Sequence, residues 1–241
     1  MKILAIESSG GCASCAILED DNILIEKTGP FKVTHSETLM PMIADAFREM
    51  HLNASDMDLI AVSGGPGSFT GLRIGSATAK GLGFALGKQL VHVPTLDALS
   101  CNFRDSEDVI VPLMDARRGQ VYTGIYRFEK DPEGEPQLVT LLQGCAVPVE
   151  ELLDIINEKY ASCRIIFTGD GTAPSKELIE STLKAEYAFA EGADALQRAG
   201  SVGLLGFSLY KKGMAHDAAA EAPEYLRPSQ AERVRAGKEN A

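Results

Sequence analysis

Short apolar runs alternate with polar turns along the chain, and their order is the same in its two halves. In each half the spacing predicts three strands in succession, then a helix, a strand, a second helix, a strand and a closing helix. In the first half these elements fall at about 3–6, 13–18, 23–26, 36–50, 59–62, 70–86, 90–93 and from Thr95. In the second half they fall at about 109–114, 121–128, 137–142, 150–159, 164–167, 174–183, 185–189 and 194–212.

The repeated order βββαβαβα predicts an α/β protein with the duplicated actin-like fold, also called the ASKHA fold, whose two ribonuclease H-like lobes enclose a cleft. A polar stretch at 102–108 separates the two units. We therefore expect a first lobe at 1–104 and a second lobe at 105–228, closed by the helix at 194–212. The charged segment 229–241 is predicted to be a tail.

The second helix of the first half carries small residues at intervals of four. Glycine inside a helix lowers stability by about 1 kcal/mol relative to alanine, so several on one face need a compensating contact. A face without side chains lets another helix backbone approach closely. We therefore predict that this helix is a docking surface. The small-residue row consists of Gly71, Gly75, Ala79 and Gly83.

The glycine-rich loop before this helix fits no standard nucleotide motif. It lacks the Gly-Lys-Ser/Thr ending of a Walker loop and the third glycine of a dinucleotide fingerprint. We interpret it as a loop that caps the following helix, with Ser68 and Thr70 as the capping side chains and Gly65 and Gly67 in the turn.

The first helix carries an apolar stripe that is wider than a single core contact requires. Thr34 and Glu37 have capping-box spacing at its start. One interpretation is an ordinary core-facing helix. The other, which the adjacent small-residue row favours, is a surface that binds a partner protein with a deformable methionine-rich face. The stripe consists of Leu39, Met42, Ile43, Ala46, Phe47 and Met50, with Met40 to one side.

Composition narrows the classes of function. The 241 residues carry a net charge of −11, which argues against nucleic-acid binding by this chain alone. No run is apolar enough for a signal peptide or a membrane span, and the odd count of five cysteines predicts reduced thiols in the cytoplasm. Cys12 and Cys15 are either a redox or metal pair or small buried strand residues.

The predicted cleft retains only part of the chemistry that ATP-binding relatives of this fold use. Such proteins need an acidic residue after the first strand of each lobe and glycine-rich hairpins for phosphate. Glu7, Ser8 and Ser9 precede two glycines, whereas Asp115 is followed by Ala116 and Arg117, which are bulkier than the expected glycines. ATP binding therefore remains a less favoured alternative. Gly169, Asp170 and Gly171 form either an adenosine contact or a tight turn.

Metal and hydrolytic chemistry have little support in the sequence. The four histidines include no pair at chelating spacing. His35, Ser36 and Glu37 are neighbours on a predicted helix, and adjacent helical residues do not face one another, so they cannot form a catalytic triad by themselves.

These motifs, taken together, resemble the TsaB (YeaZ) family. The segment 65–75 reads Gly-Pro-Gly-Ser-Phe-Thr-Gly-Leu-Arg-Ile-Gly and is the most specific match, although Ser8 stands where the family usually has threonine. The other matching segments are 3–9, 35–41, 115–122, 169–171 and 223–227.

The resemblance implies a non-catalytic subunit of the bacterial machinery that makes N6-threonylcarbamoyladenosine at position 37 of ANN-decoding tRNAs. It implies that the chain binds the catalytic subunit TsaD as a heterodimer, that the ATPase TsaE joins the pair, and that tRNA binds only through the complex. No cofactor is expected on this chain alone, because ATP or ADP and metal belong to the partners. A homodimer is expected without TsaD. The predicted interface comprises Ser36, Leu39, Met40, Met42, Ile43, Phe47, Met50, Gly71, Leu72, Gly75, Ala79, Leu82 and Gly83.

Two other classes of protein stay open at this point. One is an ATP-dependent small-molecule kinase of the same fold, which requires magnesium and ATP at Glu7 and Asp115. The other is a metallopeptidase-like enzyme of the glycopeptidase type, which requires a bound metal.

Overall fold

The computed structural model describes residues 1–31 and 33–218. The predicted tail at 229–241 and the matching segment 223–227 lie outside these residues. Within the described part, the sixteen predicted strands and helices are all present, with ends shifted by a few residues. None of the helices in this part of the chain combines the length and the apolar character that crossing a membrane requires.

The first unit forms one five-stranded sheet with three helices. Strand β1 lies at the centre, antiparallel to β2 and parallel to β4, and the strand order is β3-β2-β1-β4-β5. Its elements are β1 (Lys2–Glu7), β2 (Ser14–Glu19), β3 (Asn22–Thr28), α1 (His35–Glu49), β4 (Leu59–Gly65), α2 (Phe69–Leu86), β5 (Gln89–Pro94) and α3 (Thr95–Ser100).

The second unit repeats this topology, with β6 in the central place that β1 has in the first sheet. The strand order is β10-β9-β6-β7-β8, which is the same arrangement read from the other edge. This repetition confirms the duplicated α/β fold that the sequence predicts. Its elements are β6 (Val109–Asp115), β7 (Gln120–Lys130), β8 (Pro136–Pro148), α4 (Val149–Lys159), β9 (Arg164–Thr168), α5 (Thr172–Thr182), β10 (Glu186–Phe189) and α6 (Ala199–Lys211).

The closing helices α3 and α6 pack on the opposite sheets. Helix α6 lies across β1, β2, β4 and β5 of the first sheet, and α3 contacts β6 and β7 of the second. Val202 and Leu205 of α6 belong to the core that also contains Ile3 and Ala61. Chain order alone places 194–212 with the second lobe, whereas the helix begins at Ala199 and packs against the first.

Two features hold α6 on the first sheet. Its glycines permit close packing, since a Cβ atom at Gly206 would lie 2.6 Å from the Cβ of Ala61. Its first N–H groups are satisfied from the first lobe, because the Glu26 carboxylate accepts from Gly200 N at 2.8 Å and the Ser14 hydroxyl accepts from Ala199 N at 3.0 Å. These contacts join the two lobes.

Candidate functional site

The loop after β1 forms the first-lobe side of the cleft. Glu7 is buried, and its Oε1 accepts a hydrogen bond from the backbone N–H of Ser9 in the same loop. Ser8 Oγ donates to the Gly71 carbonyl at 2.9 Å, so this side chain also faces its own lobe. Burial raises the pKa of Glu7, although hydrogen bonds from the serines around it oppose the rise.

Gln197 fills the space beside the glycine hairpin that follows this loop. The side chain is 6% exposed, and a Cβ atom built at Gly10 would lie 2.5 Å from its Oε1. Gln197 lies in the segment between β10 and α6, and its amide also faces Asp170 of the second lobe. The space beside Gly10 is therefore occupied by a side chain of this protein. Nothing in the sequence pointed to Gln197, because an isolated glutamine belongs to no motif.

The hairpin after β6 forms the second-lobe side. Arg117 and Arg118 both adopt left-handed backbone conformations, with φ of 67° and 58°, and both side chains are exposed. The Asp115 carboxylate accepts from Arg117 N at 2.7 Å and pairs with the Arg117 guanidinium at 3.2 Å. Asp115 therefore neutralises its neighbouring arginine.

The turn at 169–171 is tight for reasons of backbone geometry. Gly169 has φ of 102°, and a Cβ atom there would lie 2.2 Å from the Leu113 carbonyl oxygen. Gly171 N donates to that same oxygen at 2.9 Å. These contacts account for both glycines without a ligand and favour the tight-turn interpretation. Asp170 lies between them and accepts from Asp115 N at 3.3 Å.

The other candidate reactive side chains, those of the cysteines and of the segment that begins at His35, do not form a reactive cluster among the described residues. Within residues 1–31 and 33–218, no group of three or more His, Cys, Asp or Glu side chains is placed to hold a metal ion. Cys15 is buried in β2, and burial raises the pKa of its thiol to about 12, which disfavours the reactive thiolate. His35 Nε2 lies 3.1 Å from the Gly10 carbonyl, while Ser36 is exposed.

The loop before α2 caps that helix with one of the two predicted side chains. The Ser68 hydroxyl accepts from Gly71 N at 3.2 Å, whereas Thr70 lies inside the first turn. Gly65 has φ of 113°, and Gly67 packs so closely on Ser9 that a Cβ atom would lie 2.5 Å from the Ser9 Cβ. The capping box predicted for α1 is wrong, because the side chain of Thr34 makes no cap hydrogen bond.

The small-residue row does not face outward. A Cβ atom at Gly71 would lie 2.0 Å from the Ser8 carbonyl oxygen, and one at Gly75 would lie 2.1 Å from Ser8 Oγ. Ala79 and Gly83 are buried as well, against the core and Leu90. The predicted close approach is real, but it brings α2 onto its own sheet instead of onto another protein. The prediction that these four positions form a docking surface is therefore corrected.

Most of the predicted contacts on α1 also belong to the core of the first lobe. Leu39, Ile43 and Phe47 are buried there, as is Leu72 of α2, so none of them offers surface to a partner. The remaining predicted residues divide into two groups. Met42, Met50 and Leu82 are partly buried against that core, while Ser36 and Met40 are exposed.

The exposed side of the helix pair is a different set of residues, which we call the outer face. Phe84 is 82% exposed and Met40 is 45% exposed. The helical period could have found this set, because positions opposite the small-residue row on α2 must point away from the sheet. The outer face consists of Met40 and Ala44 on α1 and Ala77, Gly81 and Phe84 on α2.

Comparison with known proteins places this geometry in a family. A family model described as "TsaD: tRNA N6-adenosine threonylcarbamoyltransferase" matches residues 31–234. The chain is 32% identical over 232 residues to the tRNA threonylcarbamoyladenosine biosynthesis protein TsaB of Bacillus subtilis (strain 168), covering 96% of each protein. It is 28% identical over 136 residues to the protein of the same name from Escherichia coli (strain K12), covering 54% of this chain and 57% of that one.

A solved structure has a similar fold over nearly the whole length of this chain. The crystal structure of an uncharacterized protein with similarity to peptidase YEAZ from Pseudomonas aeruginosa has a TM-score of 0.76 and 25% sequence identity. The similarity covers 94% of this chain and 99% of that one. Because the matches in sequence and fold extend along nearly the whole chain, this protein belongs to the TsaB (YeaZ) family, within the wider group of TsaD-type domains.

Proposed function

We propose that this chain is the TsaB subunit of the machinery that installs N6-threonylcarbamoyladenosine at position 37 of ANN-decoding tRNAs. In this proposal it performs no catalysis by itself. It binds TsaD as a heterodimer and holds that catalytic subunit in a competent conformation, and the ATPase TsaE joins the pair. The single observation that supports the binding role best is the exposed apolar outer face of α1 and α2.

The outer face has the properties of a helix-binding surface. Phe84 is an aromatic side chain left almost fully in water, and such residues are typical anchors of protein interfaces. Ala77 and Gly81 lie beside it on the same side of α2 and leave room for a partner helix. A stable contact of this kind buries about 800 Å² on each partner. The same face supports homodimer formation when TsaD is absent, because exposed apolar patches tend to associate.

The state of the cleft supports the non-catalytic part of the proposal. Glu7 is buried with its Oε1 bound to its own loop, Gln197 occupies the space beside Gly10, and Asp115 is paired with Arg117. We therefore assign ATP or ADP and metal to the partner subunits. The net charge of −11 favours tRNA contact through the complex.

Titration calorimetry with TsaD encoded in the same genome tests the binding role. We expect Phe84→Glu to weaken the heterodimer by at least about 30-fold, which is the range of an interface anchor. Met214→Glu is a matched control, because Met214 is also exposed, at 49%, and lies after α6. Equal affinities for the wild type and Phe84→Glu would refute the outer face as the contact.

The oligomeric state of the isolated chain gives a second test. We expect sedimentation velocity to show concentration-dependent dimers for the wild type and for Met214→Glu. Phe84→Glu is expected to be a monomer over the same concentrations. Circular dichroism on each variant confirms that the fold is kept. If the Phe84→Glu variant still forms the dimer, the outer face is not the homodimer contact. That result would contradict a single surface shared by the heterodimer and the homodimer.

A further inference from the structure

The charged side chains around the outer face are not distributed evenly between its two helices. Residues 69–88, which contain α2, include Arg73, Lys80 and Lys88 and no aspartate or glutamate. The chain as a whole has the opposite balance, with 34 acidic and 23 basic residues. Helix α2 is therefore a local basic segment on an acidic protein.

Two of these cations lie beside the residues of the outer face. Arg73 lies four residues before Ala77, and residues at this spacing are neighbours on the surface of a helix. Lys80 lies four residues before Phe84 in the same way. Arg73 is exposed, and its guanidinium lies 3.8 Å from the centre of the Phe69 ring. Lys80 is partly exposed and has no ion-pair partner among the described residues.

Helix α1 contributes the opposite charge to the same surface. Glu37 lies three residues before Met40 and is exposed. The acidic residues farther along α1 are already compensated, because Lys27 Nζ lies 2.7 Å from Asp45 and 2.6 Å from Glu49. Within the described part of the chain, Glu37 has no such partner. The outer face accordingly has a basic side on α2 and an acidic end on α1.

We propose that the partner of the outer face presents acidic side chains along α2 and a basic side chain toward Glu37. This inference rests on the proposed function, and it specifies the chemistry of the surface that TsaD brings to the contact. Buried apolar anchors supply most of the affinity of such a contact, whereas charges at its rim set the rate of encounter and the register. Opposite signs on the two helices favour one orientation of the partner, because the reverse orientation brings like charges together.

Stopped-flow measurement of the association rate constant with TsaD tests the basic side. We expect Lys80→Glu to slow association by at least about threefold at low ionic strength and to change the dissociation rate constant by less than about twofold. Lys184→Glu is the matched control, because it changes the net charge equally at an exposed position between α5 and β10. The wild-type association rate is expected to fall as ionic strength rises, and Lys80→Glu is expected to reduce that dependence.

A charge-swap variant separates the pattern of charge from the net charge. Lys80→Glu combined with Glu37→Lys keeps the net charge at −11 and reverses both sides of the outer face. We expect this double variant to associate more slowly than either single variant, because both rim contacts become repulsive. Circular dichroism on each variant confirms that the fold is kept. Recovery of the wild-type rate by the double variant would show that net charge alone acts, which would overturn the proposal.

The remaining outcomes distinguish this inference from the proposed function. If the wild type does not bind TsaD, both are wrong. If Phe84→Glu weakens binding but Lys80→Glu and Lys184→Glu associate at equal rates, only the charge pattern is wrong. If Lys80→Glu changes the homodimer in sedimentation velocity without changing association with TsaD, the charges serve a second copy of this chain, and the assignment to TsaD is refuted.

Discussion

Helix α2 has two faces that are both rich in small residues and lie in opposite environments. The inner face, the small-residue row from Gly71 to Gly83, is buried against Ser8, the core and Leu90. The outer face presents Ala77, Gly81 and Phe84 to water. A glycine on the inner face is required because backbone or side-chain atoms occupy the space of its missing Cβ. A glycine on the outer face has open space there.

A row of small residues on a helix therefore has two possible meanings. The spacing establishes that something approaches the helix closely. It does not establish whether that neighbour is part of the same chain. Here the neighbour is the loop after β1, so the row is a folding requirement. The surface that we propose for binding is the outer face, on the other side of the helix.

A charged side chain should be strongly destabilising on the inner face and nearly neutral on the outer face. Gly75→Arg forces a cation into the space of Ser8 Oγ, and we expect a loss of about 4 kcal/mol or more in the free energy of unfolding. Ala77→Arg, two residues away on the outer face, is expected to change it by less than about 0.5 kcal/mol. Urea denaturation followed by circular dichroism measures both. A folded, equally stable Gly75→Arg would show that the inner face is not buried.

A single methyl group on the inner face should also be unfavourable. A Cβ atom at Gly83 would lie 2.4 Å from Leu90 Cδ1 and 3.1 Å from the Lys88 carbonyl oxygen. We expect Gly83→Ala to destabilise the chain by about 1–3 kcal/mol through overpacking, despite the better helix propensity of alanine. The same denaturation experiment tests this. Any gain in stability would mean that Leu90 can move away freely.

The cap of α2 gives a smaller effect. Ser68→Ala removes the acceptor for Gly71 N and should lower the free energy of unfolding by about 1 kcal/mol. Thr70→Ala is the matched control, because Thr70 is exposed inside the first turn, and we expect a change below about 0.5 kcal/mol. Equal losses in the two variants would contradict the assignment of Ser68 as the cap.

On the outer face a methyl group should be favourable. Gly81 has no atom within 4 Å of an added Cβ, and it lies inside a helix without a left-handed φ. Gly81→Ala should therefore raise the free energy of unfolding by about 0.5–1 kcal/mol. Together with Gly83→Ala it forms a pair of identical substitutions with opposite signs. Destabilisation by Gly81→Ala would show that the space beside Gly81 is not open.

Local features of this protein could be predicted from its sequence, whereas several tertiary features could not. The order of the strands and helices was predictable, because alternation and helical periodicity are local consequences of one buried side per element. The cap by Ser68 followed from its place before an apolar helix. Gln197 gave no signal, because it is an ordinary polar residue whose place beside Gly10 arises only from packing between distant segments.

Periodicity and motifs along the chain were enough to establish the duplicated α/β topology, the family and the need for close packing along α2. The surface against which α2 packs, the position of α6 and the side chains between the lobes became visible only in three dimensions. A repeating pattern of residue types specifies the buried side of an element. The identity of the neighbour on that side depends on long-range packing between segments far apart in the chain.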